Sequence, residues 1–125
     1  MREVIHAINA ATATTTSSAI PLDDATAVSF QFQRSNHSAG KTVFTVTLSN
    51  DGTTYTASAL LVDNVANAIS EGLTRVASYD TGAANATKVY VLDPVQAQSF
   101  KYLKVIATET TDGTHDAWVC IQRDR

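Results

Sequence analysis

The chain has 125 residues and a mass of 13.3 kDa, enough for one domain with one core and no need for a metal or disulfide framework. Hydrophobic residues make up 44%, which excludes a disordered tail, while charged residues reach only 17%, with Thr, Ser and Asn in their place, a mix that favours strands. The net charge of −3, with no Lys or Arg block, argues against a phosphate-tracking surface, so no nucleic-acid partner is expected.

In chain order, residues 1–20 read as an extended N-terminal arm or first strand: Val4, Ile5 and Ile8 precede an Ala- and Thr-rich run. Met1-Arg2-Glu3-Val4-Ile5-His6 lacks the apolar run of a signal peptide, so synthesis in the cytoplasm is expected. No stretch is long and apolar enough to span a bilayer as a helix, and no membrane partner is expected. A single domain is expected over 21–125. Period-two alternation predicts a strand over 26–34, where Val28, Phe30 and Phe32 alternate with Ser29, Gln31 and Gln33. A second strand covers 42–49, with Phe44, Val46 and Leu48 opposite Val43, Thr45 and Thr47. Asn50-Asp51-Gly52-Thr53 then predicts a tight hairpin, with the return strand at 54–59. Residues 62–72 read as a long loop with one helical turn. Strands follow at 73–78 and 87–92, the second ended by Asp93-Pro94 because proline cannot donate to a ladder. A last hairpin is predicted to join 100–109 to 115–122 through Thr111-Asp112-Gly113-Thr114. Seven or eight short strands of this kind predict an all-β fold, an antiparallel, jelly-roll-like β-sandwich.

The motifs that carry chemistry elsewhere lack their context here. Ala39-Gly40-Lys41-Thr42 ends like a phosphate-binding loop, but Ser35 stands where its first glycine belongs and a strand follows in place of a helix. Asp80-Thr81-Gly82-Ala83 matches the short signature of retroviral-type aspartic proteases, without the preceding apolar pair or a later glycine-bearing brace. His6, His37 and His115 are scattered, and the one cysteine, Cys120, excludes an internal disulfide. These features predict no catalytic residues, no metal and no cofactor. The chain is expected not to be an enzyme.

The C-terminal strands depart from simple alternation. Val89 and Val91 oppose Tyr90 and Leu92; Leu103, Val105 and Ala107 oppose Tyr102, Lys104 and Ile106; Ala117, Val119 and Ile121 oppose Trp118 and Cys120. Strands that are apolar on both sides imply a covered outer face. Either the arm or a loop packs there, or another subunit does. The second alternative predicts a protein–protein interface anchored by Tyr90, Tyr102 and Trp118, with Ile106 and the arm residues Val4, Ile5 and Ile8 contributing.

One series of segments carries a resemblance. It runs from Ser18-Ala19-Ile20-Pro21-Leu22 and Val28-Ser29-Phe30-Gln31-Phe32 to Ser49-Asn50-Asp51-Gly52-Thr53-Thr54-Tyr55, then Phe100-Lys101-Tyr102-Leu103-Lys104-Val105 and Thr111-Asp112-Gly113-Thr114. This order resembles the small β-sandwich structural proteins of tailed bacteriophages and prophages, over nearly the whole chain. The resemblance implies a virion component at the capsid surface: a decoration or cement subunit bound to the major capsid protein and to copies of itself, with a trimer as one arrangement. The alternative it implies is a receptor- or glycan-binding module of a tail fibre or baseplate, with Tyr55 or Tyr79 stacking on a sugar ring.

Overall fold

A computed structural model describes residues 1–63 and 75–124. Its strands in chain order are β1 (Arg2–Ala11), β2 (Thr15–Thr16), β3 (Ile20–Pro21), β4 (Ala25–Ser35), β5 (Gly40–Ser49), β6 (Ala57–Ser58) and β7 (Leu61–Asp63). After the undescribed segment come β8 (Arg75–Val76), β9 (Ser78–Asp80), β10 (Ala86–Leu92), a short helix α1 (Pro94–Ser99), β11 (Tyr102–Thr111) and β12 (Thr114–Arg123).

The strands form two antiparallel sheets that face each other across one core. The first runs β1-β12-β4-β10-β7-β8 and the second β2-β11-β5-β6, with β3 also on β11 and β9 also on β5. Taking β2 with β3, and β6 with β9, as single positions gives the winding of a jelly roll, so the expected fold class holds. Inward positions recur every second residue: Val28, Phe30 and Phe32 on β4, Phe44, Val46 and Leu48 on β5, Leu103, Val105 and Ala107 on β11, and Ala117, Val119 and Ile121 on β12 are all buried. Phe32 and Phe44 stack across the gap between the sheets at 4.8 Å.

Residues 1–20 are built into both sheets: β1 forms an edge of the first, while β2 and the start of β3 edge the second. Three local expectations need correction. Thr111-Asp112-Gly113-Thr114 does not close a hairpin, because β11 pairs with β5 and β12 pairs with β1 and β4; the turn is an arch between sheets. Asn50-Asp51-Gly52-Thr53 opens a wider loop, since the return pairing is Thr47 with Ser58 and Leu48 with Ala57. The Asp51 carboxylate organises that loop by accepting the Thr53 and Thr54 amides, both at 2.8 Å. The strand expected over 73–78 divides at Ala77, with β8 in the first sheet and β9 in the second.

The reading of 62–72 as a loop lies mostly outside the described residues, and Val62 itself belongs to β7. Asp93-Pro94 ends β10 as expected, and it also starts α1: Asp93 caps the helix, its carboxylate accepting the Val95 amide, and Pro94 fills the first turn.

Candidate interaction face

The register of the first sheet assembles one outward surface. Residues opposite each other in an antiparallel pair share a face. One row is therefore Val4, Cys120, Ser29, Val91 and Val62, and the next is His6, Trp118, Gln31 and Val89. These nine residues include no Asp, Glu, Lys or Arg; past Val62 the first row ends on Arg75 of β8. Val4 is 67% exposed and Val89 38%, while Trp118, Cys120 and Val91 are half-buried. Between Val4, Val89, Trp118 and Cys120 lies a shallow depression of about 390 Å³. The arm does not cover this face, because β1 extends the sheet sideways.

Trp118 is fixed on that surface by its cross-strand neighbour. The His6 ring stacks on it with centroids 4.5 Å apart and planes 8° from parallel. His6 Nε2 lies 2.8 Å from Asp116 Oδ1, and the same oxygen accepts the Ala10 amide at 2.9 Å. The Ala10 contact falls in the irregular half of β1, where the register shifts between His6 and Ile8 and again before Ala11. A half-buried aromatic fixed in this way loses little side-chain freedom when a partner covers it.

The seven residues expected to form one interface fall in three places. Val4 and Trp118 lie on the outer face of the first sheet. Tyr102 and Ile106 lie half-buried on the outer face of the second sheet, because β11 belongs to that layer. Ile8 and Tyr90 are core residues, 1% and 6% exposed, and Ile5 packs partly buried against that core. Tyr90 points inward because its cross-strand partner is Phe30. Its ring contacts Phe32 and Tyr79 at 6.2 and 5.7 Å, and burial pushes its hydroxyl pKa up. The missing information was which layer each strand joins, which alternation cannot supply.

The outer face of the second sheet has another character: Thr45, Thr47, Thr108 and Thr110 surround Tyr102, Lys104 and Ile106. Tyr55 has the Lys104 ammonium 4.6 Å from its ring centre. Tyr79 is turned into the aromatic core against Phe32, Phe44 and Tyr90. Neither tyrosine offers a bare ring at a loop tip.

Asp80 ends β9, where its carboxylate accepts the Gly82 amide at 2.8 Å and Lys41 Nζ at 3.0 Å. The amide and the lysine hold this carboxyl below its usual range, the opposite of a shared-proton dyad, in which one carboxyl must be raised. Lys41 of the phosphate-loop-like run is thus occupied by Asp80, and Thr42 is buried beside His115. Among the described residues no three His, Cys, Asp or Glu side chains converge on one point, and no helix is long and apolar enough to cross a membrane.

Sequence reasoning missed a buried polar knot at one end of the sandwich. Arg34, 1% exposed, donates to the carbonyls of Ala39, Gly40, Gly82 and Asp112 at 2.7–3.0 Å. Beside it His115, fully buried, contacts Thr42 Oγ1 at 3.1 Å, with Glu109 Oε1 3.6 Å from its Nε2. The available signal was an arginine in phase with Val28, Phe30 and Phe32, on the inward side of its strand.

No family model matches the chain, and no curated protein matches it in sequence. Among solved structures, the SPBc2 prophage-derived protein YomS is similar to it with a TM-score of 0.62, over 98% of this chain and 94% of that one, at 9% identity. What the two chains share, over nearly their whole length, is the fold.

Proposed function

We infer that the protein is a structural component of a phage virion, and specifically a decoration or cement subunit that binds the major capsid protein lattice at the capsid surface. The observation that carries this reading is the uncharged centre of the first sheet's outer face, where Val4, Val89 and Val91 lie around a Trp118 already stacked on His6, with the charged Arg2, Arg75 and Asp116 at its margins. Burying such a surface costs little desolvation of charge and releases water from valine and indole. The shared fold with a prophage-derived protein supports the phage setting. The subunit would act by binding alone, without catalysis, as one or more copies at each lattice position. Because it would bind the assembled shell in preference to separated subunits, particle stability must rise with occupancy.

Quantitative mass spectrometry of purified particles tests the assignment. A copy number comparable with that of the major shell subunit is the expected result. A handful of copies per particle moves the protein to the tail, and absence from particles rejects the virion role. No specific observation favours the glycan-binding alternative, since Tyr79 faces the core and the Tyr55 ring lies under Lys104.

A further inference from the structure

The free edge of β1 has a feature separate from the sheet face. Met1 and Arg123 exchange both backbone hydrogen bonds, at 2.8 and 3.1 Å, so they form a hydrogen-bonded pair of the β1–β12 ladder. Such pairs alternate along an antiparallel ladder. Glu3 with Ile121 and Ile5 with Val119 are then the bonded pairs, and Arg2, Val4 and His6 turn their N–H and C=O groups away from β12. Nothing else among the described residues hydrogen-bonds these backbone groups. β1 is also the last strand of its sheet.

Natural edge strands are blunted by bulges, proline or inward charge. The bulges of β1 lie in its second half, where the register shifts after His6 and after Ile8; in its first half the one inward charge is Glu3, opposite Ile121, and its carboxylate is neutralised within the chain by Arg123 at 2.9 Å. Arg2–His6 is regular, contains no proline, and carries at its centre Val4, the most exposed large hydrophobic residue of the strand at 67%. Residues 17–21 of the second sheet's edge stand off from it, leaving a groove of about 290 Å³ beside Ile5, His6 and Ala7. That groove gives an approaching strand room for its inward side chains.

We propose that this edge pairs with the same edge of a second copy, antiparallel about a two-fold axis at Val4, so that the first sheets of two protomers become one continuous sheet. The segment is self-complementary. Val4 meets the partner's Val4 as a hydrogen-bonded pair, and Arg2 meets the partner's His6. Six backbone hydrogen bonds result from the three outward residues on each side, an isologous contact. The side chains agree with that register: Arg2, Val4 and His6 share the outer face, so each Arg2 guanidinium comes beside the other copy's His6, whose ring is bound to Asp116. The apolar row of one protomer then continues through Val4 into the row of the next. The inference does not depend on the capsid reading, because it concerns the protein free in solution.

The test is the mass of the full chain by sedimentation equilibrium across a concentration series, with two variants. Val4→Pro removes one outward N–H without touching the β12 ladder, a position where an edge strand tolerates proline. Val4→Lys places two like charges face to face across the axis. The wild-type chain is expected to reach twice the mass of one chain, and both variants to stay at the single-chain mass with an unchanged far-ultraviolet spectrum. In the dimer, the Val4 and His6 amides should gain protection from hydrogen exchange. A wild-type chain that keeps the single-chain mass at every concentration overturns the proposal. So does a dimer that survives Val4→Lys, which decides the matter if Val4→Pro fails to fold.

Discussion

Arg34 donates to the backbone carbonyl of Asp112 at 2.7 Å, while the Asp112 carboxylate lies 3.6 Å from the same guanidinium. This joins β4 to the arch between β11 and β12, and three further carbonyls complete the shell around the cation. The Asp112 carboxylate in turn accepts the Ser38 and Ala39 amides and the Ser38 hydroxyl. One buried side chain therefore holds together three loops at one end of the sandwich. Arg34→Met keeps much of the volume but strands four carbonyls without donors, and should cost about 3–5 kcal/mol, the range for breaking a buried charged network. Urea denaturation checks it; a loss below about 1 kcal/mol would mean that water replaces the guanidinium without penalty.

Acid should weaken the same end in two steps. Burial is the main reason that the His115 imidazole pKa lies below its ordinary 6.5; nearby Glu109 pulls it upward and Arg34 downward. The unfolded chain then takes up this proton first, so stability is full above 6.5 and declines as pH falls below it, until the folded-state value is passed. The Asp112 carboxyl is lowered to about 2, first by the Ser38 hydroxyl and then by the Ser38 and Ala39 amides. Its contribution is present above 3.8 and disappears as pH falls toward 2. Denaturation curves from pH 8 to pH 2 should show both declines, and His115→Gln should remove only the upper one. An unchanged upper decline in His115→Gln assigns it to another group.

Gly40 opens β5 at φ +70°, opposite Thr111. A Cβ added there would lie 1.7 Å from the Thr110 carbonyl oxygen, backbone that cannot move without breaking the β5–β11 ladder. Gly40→Ala should destabilise by more than about 3 kcal/mol, combining left-handed strain with the clash. Gly82, also left-handed at φ +67° but with open space around it, is the control, and Gly82→Ala should cost about 1 kcal/mol. Equal melting temperatures for the two variants would contradict the steric account.

On the outer face, stability and binding should separate. Val89→Asp adds a charge to an exposed position and should change stability by no more than about 0.5 kcal/mol. Trp118→Ser removes the partner of the His6 ring and should cost about 1–2 kcal/mol. Both should abolish binding to particles while the isolated chain stays folded. Binding that persists in both variants places the contact elsewhere.

The strands with one polar and one apolar side were legible from sequence: Val28, Phe30 and Phe32 on β4 and Phe44, Val46 and Leu48 on β5 all face the core in the expected phase. Alternation reports which residues share a face, but not which neighbour a strand pairs with or which layer it joins. Asp112-Gly113 therefore looked like a hairpin turn when it is an arch, and Tyr90, Tyr102 and Trp118 looked like one surface when they lie in three places. From sequence, Asp93-Pro94 reads only as a strand end, and the helix that starts there is missed, although a capping Asp followed by Pro at the first helical position is its ordinary signature. Of the candidate face, Trp118 and Val4 were accessible from sequence. Their union with Val89 and Val91 depends on β1, β12, β4 and β10 being neighbours, a non-local fact.

The most direct measurement is add-back of purified protein to particles depleted of it, following the temperature at which the particles release their contents. The release temperature should climb with occupancy and level off at saturation for the wild-type chain, and stay at the depleted value for Val89→Asp. A release temperature that ignores occupancy, or an equal rise with Val89→Asp, would contradict cementing through the outer face of the first sheet.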